Sequence, residues 1–479
     1  MIVYWIMKNI SRMEQDTKLN LRKYNKLIDK DRSNQNSRDR PYGEITGKDM
    51  KIDAFDYGMP FRTNFIGKKI DDKAEININR SDFDLFDDNN NNNNNYNITS
   101  YEKDTNNFIL DDDNPEKLIP ELYGTDSGSQ LSTNINNFAF TINNLLANKI
   151  PATSGFCISG YSLYALFSGL YIASSGKTET EIYEYFGMLP KENTHEGLIN
   201  INNLLNKMRD ITIKNVIIID DMHTLDDDMS DYINKIAEIK TINKQNPDNE
   251  YNKINAYLNK ISKDIAKVSL QVIQNANIVC LTVGIIKPQW KYAFTDMVKS
   301  KFYLLNGKSR DIYMMGINNM QYDYYENNLF QMIEIGCNQN NLVMGIVISK
   351  NLQQPNINVK TICKYIKELK KTLINELYIP IFTQQMKIRL SSIIAQSGLK
   401  TVFASLNIDK LIDNNNNISV SDIIQNITVI IDNNNNNNNN NNKKYMNKIS
   451  QINFIGNQPF LYYFRLVPTN TLLLCGYYT

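Results

Sequence analysis

The chain is predicted to be an α+β protein with mostly antiparallel sheets, behind a largely disordered N-terminal extension. Three observations predict it. Amphipathic helical stripes begin at Asn137, apolar runs of strand length gather toward the C-terminus, and residues 1–130 are rich in Asn, Asp, Lys and Arg with few aliphatic clusters.

The extension contains the seven-Asn run Asn89 to Asn95 and cannot bury a core of its own. Its apolar patches, Ala54 to Phe65 and Leu118 to Tyr123, suit docking on a neighbouring domain and short linear motifs equally. The N-terminal MIVYWIM stretch is short for a signal-peptide core and lacks a basic lead-in, so a signal peptide is not supported.

The packed domain, residues 131–479, opens with Phe138, Ile142, Leu145 and Leu146 on one helical stripe. Tyr161 to Ile172 reads as a helix apolar nearly all round. Phe156 to Ala173 is interrupted by Ser159, Gly160, Ser162, Ser168 and Gly169, which fits a buried globular helix rather than a membrane span. Thr178 with Glu181 predicts a capping box for a helix bearing Ile182, Tyr185 and Phe186, and a further helix runs from Ile254 through Val268. Strands are expected at Val216 to Ile219, Ile278 to Ile286, Leu342 to Ile348, Ile423 to Ile431, Phe460 to Val467 and Leu472 to Tyr478, the last two joined by a turn at Pro468 to Thr471.

Composition narrows the function classes. Lys+Arg 52 against Asp+Glu 51 leaves no field that would gather nucleic acid or an anionic membrane, and no segment reads as a span, so a soluble protein is expected. Five cysteines, Cys157, Cys280, Cys337, Cys363 and Cys475, stand far apart and odd in number, which fits isolated buried thiols rather than a disulfide framework or a CxxC metal site. The two histidines, His195 and His223, lie in polar segments outside any metal or triad motif and are expected to be solvated. Gly176-Lys-Thr178 lacks the first glycine of a phosphate loop, since Tyr171 stands there. Asp220, Asp221 and Asp226 to Asp228 lack calcium-loop spacing and read as a solvated acidic turn. No enzyme, cofactor or metal is predicted.

Read in order from Asn137, the segments resemble the serpin family. Phe138 to Leu146 looks like the family's first helix, and Ile158-Ser-Gly-Tyr-Ser-Leu163 with Ala165 to Ile182 like the segment beneath its central sheet. Ile254-Asn255 through Val268 is similar to "INxWV…T…I", with Tyr257 in place of Trp. Ile286-Lys-Pro-Gln-Trp290 with Phe294 resembles "FKGxW…F", and Val298 to Met315 its "F…VxMM" continuation. Tyr378-Ile-Pro-Ile-Phe382 through Gly398 and Phe403 is similar to "LPKF…LGΦxxΦF". Val420 to Ile431, Asn457-Gln-Pro-Phe460 and Gly476 complete the series.

The resemblance implies a three-sheet domain with covering helices and an exposed bait loop, here Asp432 to Ile455, offered as a monomer to a serine protease. In inhibitory members the cleaved loop enters the central sheet and carries the acylated protease with it, so the chain needs no catalytic residue. It also implies a switch region at Ser159, Ser162, Trp290, Gln425 and Pro459, and a hinge at Asp432, Asn433 and Asn434. Family spacing counted back from Pro459 puts the scissile bond at Lys448-Ile449, and counting forward from the preceding strand gives Ile449-Ser450. Lys448 before the cut points to a trypsin-like target.

Departures from the pattern are Gly160 for Pro, Gln425 for His, and Gly336-Cys337 for Pro-Tyr. The largest is the hinge, where a run of small residues is replaced by Asn433 to Asn442. A buried, unpartnered amide costs about 1–3 kcal/mol, so a non-inhibitory binding or structural role stands as the alternative. Secretion rests on family analogy alone. The Asn tracts, with abundant Ile and Lys, point to an AT-rich genome, viral ones included, and Asn97 and Asn426 sit in NxS/T sites.

Overall fold

The stripe of Phe138, Ile142 and Leu146 belongs to a helix, α1 (Asp126–Ala147), that starts well before Asn137. Leu131 and Ile135 extend its buried face upstream, masked in the sequence by the Ser and Asn residues around them. The computed structural model of the chain describes residues 126–262, 266–337, 341–351, 359–412, 418–433 and 452–479; most of the expected extension therefore lies outside the described residues.

After α1 come β1 (Phe156–Ile158), α2 (Gly160–Ala173), α3 (Gly176–Phe186), α4 (Lys191–Asn206), β2 (Ile211–Asp220), α5 (Asp227–Asn234), β3 (Glu238–Ile242), α6 (Pro247–Ser262), α7 (Leu270–Gln274) and β4 (Ile278–Ile286). Next are β5 (Asp296–Tyr303), β6 (Ser309–Glu326), β7 (Phe330–Gly336), β8 (Leu342–Ser349), α8 (Val359–Glu368), β9 (Lys370–Pro380) and β10 (Phe382–Arg389). The chain closes with α9 (Ser391–Gln396), α10 (Thr401–Ala404), β11 (Val420–Ile431), β12 (Asn453–Ile455), β13 (Phe460–Leu466) and β14 (Thr471–Tyr478). Helices lead and strands follow, as an α+β fold requires.

Among the described residues the strands form two hydrogen-bonded sheets, one fewer than the resemblance implied. One has five strands in the order β10-β11-β4-β2-β3, and the other has nine, β1-β14-β13-β8-β7-β6-β9-β12 with β5 added to β6. Pairing is antiparallel except at β4/β11, β2/β3 and β9/β12. Every residue of α2 is buried, which is why its sequence shows no polar face. Gly160 lets α1 cross it closely, since a Cβ there would lie 2.3 Å from Ala139 Cα. Phe138, Phe167 and Phe186 interlock where α1, α2 and α3 meet, with centroids 4.5 and 4.6 Å apart.

On the opposite face of the five-stranded sheet, α6 lays Ile254 and Leu258 over Val216, Ile218, Leu281 and Val283. Its described part runs to Ser262, and Ala266 to Ser269, where the expected helix would finish, are not helical. The Asn255 amide holds Val268 from both sides, donating to its carbonyl (3.2 Å) and accepting from its N–H (2.9 Å). The β13/β14 hairpin turns at Pro468 to Thr471 as expected, with Asn470 at φ +54°. Helix α1 clasps this turn. Asn136 donates to Asn470 O (2.8 Å) and accepts from Leu472 N (2.7 Å), and the Ser132 and Thr471 hydroxyls share a bond of 3.0 Å.

Three local expectations are corrected. Thr178 and Glu181 form no capping box, because α3 opens one turn earlier, at Gly176 with φ +59°. Thr178 Oγ1 instead accepts from Asn407 N (2.9 Å), and the Glu181 carboxylate accepts from Lys400 N (3.1 Å) and Thr401 N (2.6 Å) at the start of α10. His195 is a core residue, not a solvated one: its ring stacks 3.4 Å from that of Tyr232, its Nε2 lies 2.7 Å from Tyr232 O, and burial lowers its pKa. Asp220 is buried as well, paired with Lys244 at 2.7 Å, while the remaining aspartates of that turn are exposed and Asp226 caps α5 by accepting from Met229 N (2.7 Å).

Candidate functional site: the seam between two parallel strands

Strand β11 leads directly into the expected loop, and its neighbour in the sheet is β4. The two run parallel, from Val420 opposite Ile278 to Val429 opposite Ile286, with a register shift between Val420 and Asp422. Their outer neighbours, β10 and β2, are both antiparallel to them. A strand entering between β4 and β11 after reversing direction at the end of β11 would therefore be antiparallel to both. One ladder would be exchanged for two.

Polar ties hold β11 at three levels. At its start, Ser421 Oγ donates to Ile278 O (3.0 Å) and accepts from Asn277 N (3.1 Å). Close by, Asp422 pairs with Arg389 at 2.6 Å and accepts from Ser391 Oγ at 2.8 Å.

At mid-height, Gln425 points toward the N-terminus of α2. Its Oε1 accepts from Ser159 N (3.1 Å) and its Nε2 donates to Ser159 O (2.8 Å). Ser159 Oγ donates to Leu473 O (2.7 Å), accepts from Ser162 N (3.1 Å) and lies 2.8 Å from Ser162 Oγ. All three side chains are fully buried, so this network joins α2, β11 and β14 in a medium where each lost bond is costly. Beside it, Gly284 leaves room for Ile427 to lie across β4: a Cβ would stand 2.6 Å from Ile427 Cδ1.

At the end of β11, Trp290 Nε1 donates to Asp432 O (2.9 Å) and Lys287 Nζ pairs with the Asp432 carboxylate at 3.0 Å. Trp290 is buried, edge-on to Phe294 and bridged to Cys337. Lys287 N donates to Asp210 O (2.8 Å), and burial pushes the Asp210 carboxyl above the ordinary carboxylate range against the opposing pull of the Gln289 backbone.

The structure thus brings together Ser159, Ser162 and Gln425 at mid-seam, and Trp290 with Asp432 at its end. Asn433 follows, half-buried. Pro459 stands apart, buried in the turn between β12 and β13. Asn434, Lys448 and Ile449 lie outside the described residues. Downstream the chain is anchored again where β12 pairs with β9, Phe454 is buried, and Asn453 bonds Asn375 and Glu376 at 3.0 Å each. Arg389 is not marked by the sequence; Lys287, three residues before Trp290, and Ser421, at the start of the Val420 to Ile431 stretch, lie inside quoted segments, which is the available signal.

Among the described residues no group of three or more His, Cys, Asp or Glu stands close enough to share a metal ion. Burial pushes the Cys157 and Cys280 thiols up to about 12, which keeps them protonated.

Comparison with known proteins agrees with this geometry. Residues 133–479 match the family profile described as Serpin (serine protease inhibitor). The chain is 24% identical over 310 residues to Serpin A3-6 of Bos taurus, spanning 60% of this chain and 74% of that one. To an uncharacterized serpin-like protein of Acanthamoeba polyphaga mimivirus it is 25% identical over 314 residues, 61% of this chain and 74% of the viral one. The crystal structure of native protease nexin-1 with heparin superposes with a TM-score of 0.65 at 19% identity, covering 73% of this chain and 98% of that one.

Proposed function

The chain belongs to the serpin family, and from that premise we propose that it is a serine-type endopeptidase inhibitor offering residues 432–455 as bait to a trypsin-like protease. The observation that carries the reading is the parallel β4/β11 pair at the root of that segment, flanked on both sides by antiparallel strands. Attack by the protease's serine on the Lys448 carbonyl breaks the Lys448–Ile449 bond and leaves Lys448 esterified to the enzyme. The freed upstream arm then turns into the seam, and the second ladder it gains drives the change. The chain supplies strain and a strand, works as a single copy and requires no cofactor.

A second reading is supported by the Asn433 to Asn442 run, whose amides oppose burial: a non-inhibitory binding or structural protein on the same fold. Incubation with a trypsin-like protease separates the two. The inhibitor reading expects a covalent complex that survives SDS and carries the residues upstream of Ile449; clean cleavage with full enzyme turnover overturns it in favour of the second.

A further inference from the structure

The polar residues of β11 fall on both of its faces, and the two faces are treated differently. Gln425 and its alternates Ile427 and Val429 face the main core, where the Gln425 amide is satisfied on both sides. Ile424 packs on the opposite face with Ile254 and Leu258 of α6, and by strand alternation Asn426 and Thr428 follow it there. They are 4% and 1% exposed, yet neither amide atom of Asn426 nor the Thr428 hydroxyl has a hydrogen-bond partner among the described residues. Two adjacent orphaned groups on one strand face are a standing cost to the uncut chain.

Their register neighbours explain the deficit. Opposite them on β4 stand Val283 and Ile285, which have no polar atom to offer, and on β10 stand Lys387 and Gln385, which make no bond to either. The missing partners belong on the β4 side, where a further strand would lie. The chain that leaves the end of β11 is Asn at every position from 433 to 442. Alternate residues of a strand share a face at the spacing of Asn426 and Thr428, and a homopolymer puts an amide beside each of them whatever its register. Asn offers both donor and acceptor, and side-chain amides stack into ladders along paired strands.

We propose that Asn426 and Thr428 are the receiving positions for the chain's own Asn tract, so that the entering strand is stitched in by side-chain amides rather than by small apolar residues. This rests on the insertion reading above. It reverses the meaning of the tract: the run that would penalise an apolar seam matches a seam whose polar groups wait unpaired.

The test is a cycle of variants of the full chain, each melted before and after limited tryptic cleavage, with the cut within 443–449 verified by fragment sequencing. One arm is Asn426→Leu with Thr428→Val. The other replaces Asn433 to Asn442 with Ala. In the unmodified chain, cleavage is expected to raise the melting temperature. The Leu/Val arm is expected to melt higher uncut, by at least about 2 °C, and to show a smaller rise on cleavage. The Ala arm is expected to shrink the rise too, whereas the combined chain, apolar against apolar, recovers it. A rise that is unchanged in the Leu/Val arm, or enlarged in the Ala arm, overturns this inference while leaving insertion intact. No rise in the unmodified chain overturns both.

Discussion

Gln425 shows how one side chain holds three elements. It faces α2 from the middle of β11, and its amide is the partner of both backbone groups of Ser159. In Gln425→Ala those two buried groups lose their partners, at about 1–3 kcal/mol each. Urea unfolding should register a loss of about 2 kcal/mol or more, and a loss under half that would mean that the network re-forms without it. Asp210 gives a pH signature at the end of the seam. Its folded pKa lies above its unfolded value, so the folded chain binds more protons in that window and stability falls as pH rises through it. Asp210→Asn should flatten the slope above the ordinary carboxylate value and leave the variant the more stable at neutral pH. An unchanged slope in melting temperature against pH would assign the effect elsewhere. Of these residues, sequence alone indicated Ser159, Ser162, Trp290, Gln425 and the root of the loop through their place in ordered motifs. Asp210 and the pair Asn426/Thr428 were hidden, because burial of a polar residue is decided by what packs on it, and Asn426 in its NxT motif reads in sequence as an exposed site.

Elements were legible where burial on both faces writes a continuous apolar run. Strand β4 spans the predicted Ile278 to Ile286 without change, and β11, β13 and β14 differ only at their ends. Strands β5, β6, β7, β9 and β10 escaped notice because they carry Lys, Asn, Asp and Gln on partly solvated faces. In β6 the period itself is broken at Asn319, whose φ of +55° lets the ladder to β9 skip from Asn318 to Met320. The Thr178/Glu181 spacing was genuine but its target was misread. The carboxylate caps a helix far along the chain instead of its own, donating negative charge to the first turn of α10. Glu181→Ala should therefore cost about 1 kcal/mol, and hydrogen exchange should quicken at Lys400 and Thr401 rather than at Thr178. Quickening confined to α3 would restore the capping box.

At the scale of the whole molecule, the position of the last hairpin decides how the chain is assembled. Strand β13 lies inside the nine-stranded sheet between β14 and β8, and α1 is clasped to its turn through Ser132 and Asn136. A protein truncated after Ile455 lacks both strands, exposes β8 and the inner face of α1, and should be degraded by thermolysin at rates typical of unfolded chains; resistance equal to that of the full chain would contradict this. The same placement sets a timetable on the ribosome. Helix α1 is among the first described residues to emerge, yet the hairpin it clasps is made roughly 320 residues later, which at bacterial to eukaryotic elongation speeds is about 16 to 65 s. Throughout that interval Ser132 and Asn136 lack their partners in the hairpin turn, although Phe138 can already meet Phe186, so the leading helices can gather early while folding is completed only after synthesis has passed Tyr478.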